Sequence, residues 1–363
     1  MKIGIIGFAK LKYMPYLNFY MDGINTAANQ VHILYWNRDD RQEKRRSDVE
    51  YHEFNDIMDD DSNKVLKIRK FMRYRSFALS VIKEQNFDFI IILHSIPGVL
   101  LESYMKRCYN HRYIFDYRDY TYESILPFRC RIWQCVYNSY ATFISSEGFR
   151  TALPDVSQIY VSHNISTDLL KQRRHHAKNQ GSPIRISFWG YIRHEQVNRT
   201  LIQKISEDQR FELHFYGREQ AIAQRLKAYA NQINAKNVFF HGEYNPEDRL
   251  SFAANTDLIH NIYSNKELPH QKLAVSNKYY DALALYIPQI CMNNSYMGEL
   301  VQKNGIGIAC DPKSDNFLDT VFLYYKELDY ERFCGMCDCS MERVMSEYEN
   351  GKRVIENAFD QHQ

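Results

Sequence analysis

Short, almost uninterrupted apolar runs recur along the chain, most of them ending at a glycine or a polar turn and separated by segments with helical spacing. KIGIIGFAK opens the chain as such a run, followed by VHILYW (31–36), FDFIIIL (87–93), RYIFDYRD (112–119), ATFISS (141–146) and QIYVS (158–162). Runs of this length with no polar alternation predict strands buried on both faces, as in a parallel sheet. Strands alternating with helical segments predict a sheet covered by helices on each side. After KQRRHHAKNQGSP (171–183), a polar and basic stretch that predicts a linker, the pattern restarts. IRISFWG (184–190), FELHFYG (211–217), NVFFHG (237–242), LIHNIY (258–263), IPQICM (287–292) and GIGIAC (305–310) predict six more strands. The expected architecture is α/β: two doubly wound, Rossmann-like domains over 1–164 and 184–344, joined by a linker over 165–183.

Composition narrows the class. With 363 residues, 45% hydrophobic and 25% charged, the chain suits two globular domains and excludes a disordered, collagen-like or coiled-coil chain. A net charge of +2 supplies no global field for nucleic acid. No stretch approaches the length of a transmembrane helix. The N-terminal run is broken by glycine and no small-residue cleavage site follows, so a secretory leader is not expected. Free thiols in a reducing cytoplasm are then expected for the eight cysteines. Cys334, Cys337 and Cys339 crowd together without a second pair, which favours a sulfur-rich helix over zinc. The 28 Tyr and 21 Phe predict an aromatic core with many hydroxyls to place.

In open α/β sheets ligands sit at the carboxyl ends of the strands, so the residues after each strand carry the candidate chemistry. In the second half these are Gly190 followed by Arg193, Gly217 followed by Arg218, and Gly242 followed by Glu243 and Tyr244. Glycine lets backbone amides approach an anion and arginine can fork onto phosphate, although glycine also ends strands for purely steric reasons. Ser276-Asn277-Lys278 opens a helical run with the character of an N-cap, predicting exposed amides and a cation for an anionic group. Asp281, three positions beyond Lys278 on nearly the same face, suits ribose hydroxyls or an i,i+3 ion pair. In the first half the strand ends offer Gly7 to Lys10, His94, and Asp116-Tyr117-Arg118-Asp119. Asp59-Asp60-Asp61 reads better as a helix-start carboxylate run than as a metal–nucleotide site.

From Gly190 and Arg193 through FYG (215–217), FFHG (239–242), Asp257 and SNKYYDALALYIP (276–288) to Gly305-Ile306-Gly307, the second half resembles the donor domain of retaining GT-B glycosyltransferases of family 4. The likeness covers roughly 184–312, about a third of the chain, and rests on the order of the elements. It implies two Rossmann-like domains facing a central cleft, with a C-terminal helix, about 345–363, packing back on the first domain and the crossing between domains near His163-Asn164. It also implies transfer of a sugar from a nucleoside diphosphate sugar to a glycan or a polyprenyl-diphosphate-linked acceptor, as in capsule and exopolysaccharide synthesis. Carried onto this chain, Arg193 and Lys278 hold the donor diphosphate, and Gly190, Gly217 and Asn277 line the donor site. Asp281 takes the place of the ribose-binding glutamate, and Glu243 or Tyr244 lies by the base. The chain departs from the family in having Asp281 for that glutamate, Leu273 for the glutamate eight residues earlier, and Leu285 for a glycine. On the acceptor side the resemblance points to Gly7, Lys10, His94, Arg118 and Asp119, the last closing a D-x-R-D like that of polysaccharide-building members.

Such chemistry needs charge stabilised on the leaving diphosphate. Arg193, Lys278 and helix amides can do this without a metal, and no cofactor is expected. The basic, apolar-spaced segment 64–83 carries Lys64, Lys67, Arg69, Lys70, Arg73 and Arg75, and a second cluster, PFRCRIW, spans 127–133. These suit peripheral contact with an anionic membrane at the inner face of the cell, or a solvated helix covering the sheet. Two other readings stay open: a nucleotide-sugar 2-epimerase of the same fold, and a non-catalytic partner subunit.

Overall fold

A computed structural model describes residues 1–38, 43–58, 63–173, 178–179, 181–263 and 272–361. Asp59-Asp60-Asp61 and parts of the 171–183 stretch lie outside the described residues. Contacts between Cα atoms divide the chain into two compact units, one of 1–164 with 345–363 and one of 165–344.

In the first unit the strands are β1 (Lys2–Ile6), β2 (Gln30–Asn37), β3 (Glu50–Asn55), β4 (Phe89–Leu93), β5 (Tyr113–Tyr117), β6 (Ala141–Ile144) and β7 (Ile159–Val161). They pair in parallel in the order β3-β2-β1-β4-β5-β6-β7. The helices between them are α1 (Leu17–Asp22), α2 (Lys64–Gln85), α3 (Ser95–Cys108) and α4 (Leu126–Asn138). Ile3, Ile5, Ile33, Ile90 to Leu93, Ile114 and Phe115 are buried, as continuous apolar strands require when both faces are covered. The strand order reverses between β1 and β4, so the carboxyl ends of these two strands form the crevice in which α/β sheets place ligands.

Strand β3 has no counterpart among the apolar runs of the sequence. EYHEFN alternates and lies at the sheet edge, half exposed. Its aromatic positions still find partners: Phe54 packs edge-on against Trp36 at 5.4 Å and Tyr51 against Tyr35 at 6.3 Å. A good part of the tyrosine excess is placed in this way. Tyr74 stacks on Trp36 at 5.6 Å and donates its hydroxyl to Gly7 O, and Tyr113 donates to Cys135 O at 2.6 Å.

The second unit contains α5 (Thr167–Lys171), β8 (Ile184–Trp189), α6 (Glu195–Ser206), β9 (Phe211–Tyr216), α7 (Ala221–Gln232), β10 (Val238–Gly242), α8 (Arg249–Ala253) and β11 (Leu258–Asn261). It continues with α9 (Asn277–Leu285), β12 (Gln289–Met292), α10 (Tyr296–Lys303), β13 (Gly307–Cys310) and α11 (Phe317–Glu327). The sheet is parallel in the order β10-β9-β8-β11-β12-β13, and its order reverses between β8 and β11. Ile186, Phe188, Leu213, Phe215 and Leu258 form its core with Leu201, Ile202 and Ile205 of α6.

The last helix, α12 (Tyr330–Asp360), starts in the second unit and ends in the first. Cys334 and Cys337 are buried on it, whereas Cys339 is exposed. Its last turns pack on the first unit. A Cβ on Gly351 would lie 2.8 Å from the Phe19 ring, so a side chain there would force that ring to shift, and one on Gly23 would press on Ile355 at 3.0 Å. Tyr348 donates to Asp22 at 3.1 Å, and Glu347 lies 2.6 Å from His163 Nε2.

Candidate functional site

In the second unit Gly190 and Lys278 lie at the β8–β11 reversal, while Gly217 follows β9 and Glu243 and Tyr244 follow β10 at the sheet edge. The turn after β8 is built on glycine at two points. Gly190 adopts φ +117°, and a Cβ on Gly217 would stand 2.2 Å from Gly190 O, so the β8 and β9 ends can approach only without side chains. Gly190 N donates to Tyr216 O at 2.9 Å and Gly217 N to Gly242 O at 2.8 Å, which locks three strand ends together. Arg193 follows on the surface with its guanidinium 4.7 Å from the Tyr191 ring centroid.

Lys278 occupies the first turn of α9 and is only 6% exposed. Its ammonium lies 4.1 Å from the Phe188 ring centroid and donates to the Tyr263 hydroxyl at 2.6 Å. Phe188 comes from the end of β8 and Tyr263 follows β11, so this cation sits at the topological reversal itself. The Ser276 hydroxyl at the N-cap turns away from the helix and donates to Asn261 Oδ1 at 2.7 Å. Asn261 in turn donates to Gln289 Oε1 at 2.9 Å. The start of α9 is thereby pinned to β11 and β12 without a side-chain cap on its own amides. Asn277 is exposed beside it.

Beneath Lys278 lies His260, 1% exposed. Its Nδ1 accepts from Ile262 N at 3.1 Å, which leaves Nε2 as the protonated nitrogen, donating to Asn198 Oδ1 at 2.9 Å. Burial first, then the charge of Lys278, pushes its pKa down to about 3. The imidazole is held neutral and adds no positive charge beside Lys278.

Asp281, one turn further along α9, is 4% exposed. Trp189 Nε1 donates to it at 2.8 Å, and Arg249 donates to both oxygens at 3.2 and 3.3 Å. Burial raises its pKa, with Arg249 and Trp189 opposing. The sequence suggested ribose hydroxyls or an ion pair with Lys278; the structure spends most of the acceptor capacity of this carboxylate on Trp189 and Arg249 instead. Around them Tyr216 stacks on Phe252 at 4.2 Å, Trp189 packs on Phe252 at 5.4 Å, and Tyr244 meets the same ring edge-on at 5.2 Å. Burial moves the Tyr244 hydroxyl pKa up to about 12. Glu243 is exposed, and Leu273 is half-buried.

Sequence reasoning missed Trp189, Arg249, His260 and Tyr263. Trp189 and Tyr263 stand at strand ends and were open to the same rule that found Gly190. His260 and Asn261 are consecutive polar residues within an otherwise apolar run, a second usable signal. Arg249 carried none.

In the first unit, Gly7 and Lys10 follow β1 and His94 follows β4, the two strands at the reversal. Gly7 N donates to Leu34 O at 2.8 Å, and Lys10 is buried just beyond it. His94 caps α3 with φ +85°; its Nδ1 accepts from Ile96 N at 3.4 Å and its Nε2 lies 3.2 Å from Asp119 Oδ2. Two candidates from different strand ends thus form one dyad. Arg118 turns the other way. Its guanidinium donates to Asp116 Oδ2 at 2.7 Å and Ser162 Oγ at 2.9 Å, and lies 4.1 Å from the Tyr16 ring centroid. Asp116 and Arg118 are both buried and make an internal ion pair, whereas Asp119 stays exposed.

No family model matches the sequence, and no curated protein matches it closely. Solved structures do match. Sucrose-phosphate synthase from Thermosynechococcus elongatus superposes with TM-score 0.72 at 11% identity, over 99% of this chain and 98% of that one. The lipopolysaccharide outer core galactosyltransferase WaaB gives 0.67 at 14% over the whole of both chains. Anabaena HepE in complex with UDP-glucose gives 0.64 at 11%, over 99% and 98%. The fold is that of the GT-B glycosyltransferases. The glycine-built β8 turn and the lysine at the start of α9 lie at the β8–β11 reversal, the position at which open α/β sheets in general place ligands.

Proposed function

We propose that this chain is a glycosyltransferase that moves a sugar from a nucleoside diphosphate sugar to a glycan or lipid-linked acceptor in cell-surface polysaccharide synthesis. The observation that carries the reading is Lys278, a cation buried at the start of α9 and held by Phe188 and Tyr263 at the reversal of the second sheet. A buried ammonium beside helix amides stabilises the charge that grows on a leaving diphosphate more strongly than a solvated one. The fold likeness to HepE in complex with UDP-glucose and to a galactosyltransferase supports the same substrate class.

In this reading the second unit takes the donor. Lys278, Arg193, Gly190, Gly217 and the amides at Asn277 hold the diphosphate; Tyr244 and Glu243 lie on the base side. Asp281 serves by fixing Trp189 and Arg249, the role its two donors support better than direct ribose binding. The strand ends of the first unit, with His94, Asp119, Gly7 and Lys10, take the acceptor, and Arg118 braces them through Asp116. The bond from the sugar carbon to the diphosphate oxygen breaks, the acceptor oxygen bonds to that carbon on the same face, and its proton passes to the departing phosphate. This retaining course needs neither a strong protein base nor a metal at the donor site.

Membrane contact belongs to the same proposal. On α2, Val65 is 78% and Ile68 61% exposed, and with Met72 they form a stripe at helical spacing beside the exposed Lys64 and Arg69. The cationic set is smaller than the sequence suggested: Lys70 and Arg73 lie 2.9 and 2.8 Å from Asp56 oxygens, and Arg75 donates to Leu100 O at 2.8 Å. Among the described residues no helix is long and apolar enough to cross a membrane.

The test is release of nucleoside diphosphate from a panel of nucleotide sugars by the pure chain, with and without added Mg²⁺ or Mn²⁺. One donor should turn over at a rate that added metal leaves unchanged. Turnover of no donor defeats the enzyme reading, and a strict requirement for added metal defeats the donor-site chemistry.

A further inference from the structure

At the opposite end of the first sheet from these strand ends, three donor side chains converge. His32 lies early in β2, and Glu50 and His52 begin β3. The parallel register pairs His32 with Glu50 and Leu34 with His52, so all three project from one face of the edge pair. His32 Nδ1 and His52 Nε2 are 3.0 Å apart, Glu50 Oε2 is 3.5 Å from the first and Oε1 is 3.8 Å from the second. Among the described residues this is the group of three such donors close enough to hold one ion.

The separations are informative. Donor atoms about 2.0–2.1 Å from a tetrahedral zinc ion stand about 3.3 Å from one another. The nitrogen–nitrogen distance of 3.0 Å and the nearer nitrogen–oxygen distance of 3.5 Å straddle that value, and the carboxylate turns its other oxygen toward the second ring. A hydrogen bond alone uses the triangle poorly. Two imidazole nitrogens at 3.0 Å share one proton, and a carboxylate at 3.5 and 3.8 Å then completes no well-formed bond to either.

A second histidine pair in the same chain makes the contrast. His214 and His241 also stand 3.0 Å apart on an edge pair, β9 and β10. There Glu212 approaches the outer nitrogen of His214 at 3.3 Å, so the three groups form a chain with no common centre. Only the pair in the first unit presents its carboxylate on the side where the two nitrogens face each other.

Burial is graded as a site of this kind requires. The His32 side chain is 3% exposed, His52 17% and Glu50 61%, so two anchored imidazoles are closed by a carboxylate from solvent. The rim is a surface depression that Glu50 and His32 share with Lys2, Gln30, Ser47 and Asp48. It leaves room for water as a fourth ligand. Lys2 in that rim donates to Gln85 Oε1 at 2.8 Å, and burial, with the charge of Lys2 adding to it, favours the neutral, metal-ligating form of both imidazoles.

We infer that His32, Glu50 and His52 form a binding site for a divalent transition-metal ion of the zinc class, which staples the edge strand β3 to β2. Two imidazoles and one carboxylate with an open fourth position suit zinc and disfavour the oxygen-seeking Mg²⁺ and Ca²⁺. The site lies at the amino ends of the strands of the first sheet, at the opposite end from the residues assigned to the acceptor, and does not depend on the function proposed for the chain.

The experiment uses the full chain, freed of metal by dialysis against a chelator and titrated calorimetrically with Zn²⁺, with Co²⁺ as a spectroscopic stand-in. One equivalent of Zn²⁺ should bind and raise the melting temperature, and Co²⁺ should give the intense visible bands of a four-coordinate ion. H52A and E50Q should each weaken Zn²⁺ binding by more than the roughly 10–100-fold that loss of an outer-sphere partner costs. H241A and C334S should bind as the parent does. Glu50 is exposed, so E50Q decides the matter even if H52A folds poorly. Absence of a stoichiometric Zn²⁺ equivalent, or binding unchanged in E50Q and lost in H241A or C334S, would overturn the assignment.

Discussion

Replacing Lys278 with methionine removes the ammonium and keeps a chain of similar length against Phe188. The structural cost is modest. Tyr263 loses a hydrogen-bond partner worth about 1 kcal/mol and the contact with Phe188 loses about 1 kcal/mol of cation–π attraction. Release of a buried charge offsets part of both. The melting temperature should therefore fall by only about 2–4 °C, as roughly 1 kcal/mol does in domains of this size. The functional cost is larger. A unit charge about 4 Å from a phosphoryl oxygen, at an effective dielectric constant of about 20, is worth about 4 kcal/mol. Loss of most of this in the transition state lowers kcat/KM by about 10²–10³-fold. The assay is initial-rate release of nucleoside diphosphate over a range of donor concentrations, run beside thermal melts of both proteins. If K278M keeps its fold and its kcat/KM stays within about threefold of the parent, the electrostatic role given to Lys278 is wrong. If kcat/KM falls only in step with the melting temperature, the residue is structural.

Three further outcomes follow from the same geometry. His260 is held at a pKa of about 3 in the folded chain against about 6.5 unfolded, so below pH 6.5 the unfolded state binds a proton that the native state refuses. Stability should thus fall as pH drops from 6.5 towards 3, by about 2 kcal/mol at pH 5, and urea unfolding of H260Q should lose that part of the slope. D116N leaves Arg118 buried without its carboxylate and should cost about 3–5 kcal/mol, whereas D119N, at the exposed end of the motif, should cost under about 1 kcal/mol, both read from denaturant midpoints. H94A and D119N should each lower kcat/KM for the acceptor, and the double variant should be no worse than the poorer single one. Strict additivity would show that the dyad is not a functional unit.

Both sheets were legible because a parallel strand buried on two faces must be apolar throughout, and most such runs in the sequence are ended by glycine or a polar turn. Strand β3 was not, since Glu50, His52 and Glu53 give it the alternation of an exposed segment and only its pairing with β2 makes it a strand. The strand-end rule found Gly190, His94 and Asp119 as positions, and the N-cap pattern found Lys278. Neither could find what they touch. The Asp281 carboxylate meets Trp189 and Arg249, which lie 92 and 32 residues away, and no local spacing encodes that meeting. The likeness of 276–288 to a family helix suggested a ribose contact for a carboxylate that this chain uses to hold its own side chains. Arg118 shows the same limit: the D-x-R-D spacing does not say that it pairs inward with Asp116 while Asp119 stays exposed.

The central claim is that the second unit grips a nucleoside diphosphate through Lys278. It is tested most directly by ³¹P NMR of UDP titrated with the chain. Both phosphorus resonances should shift saturably with the parent protein and much less with K278M at the same concentration. Resonances that do not move with the parent, or that move equally with K278M, would contradict it.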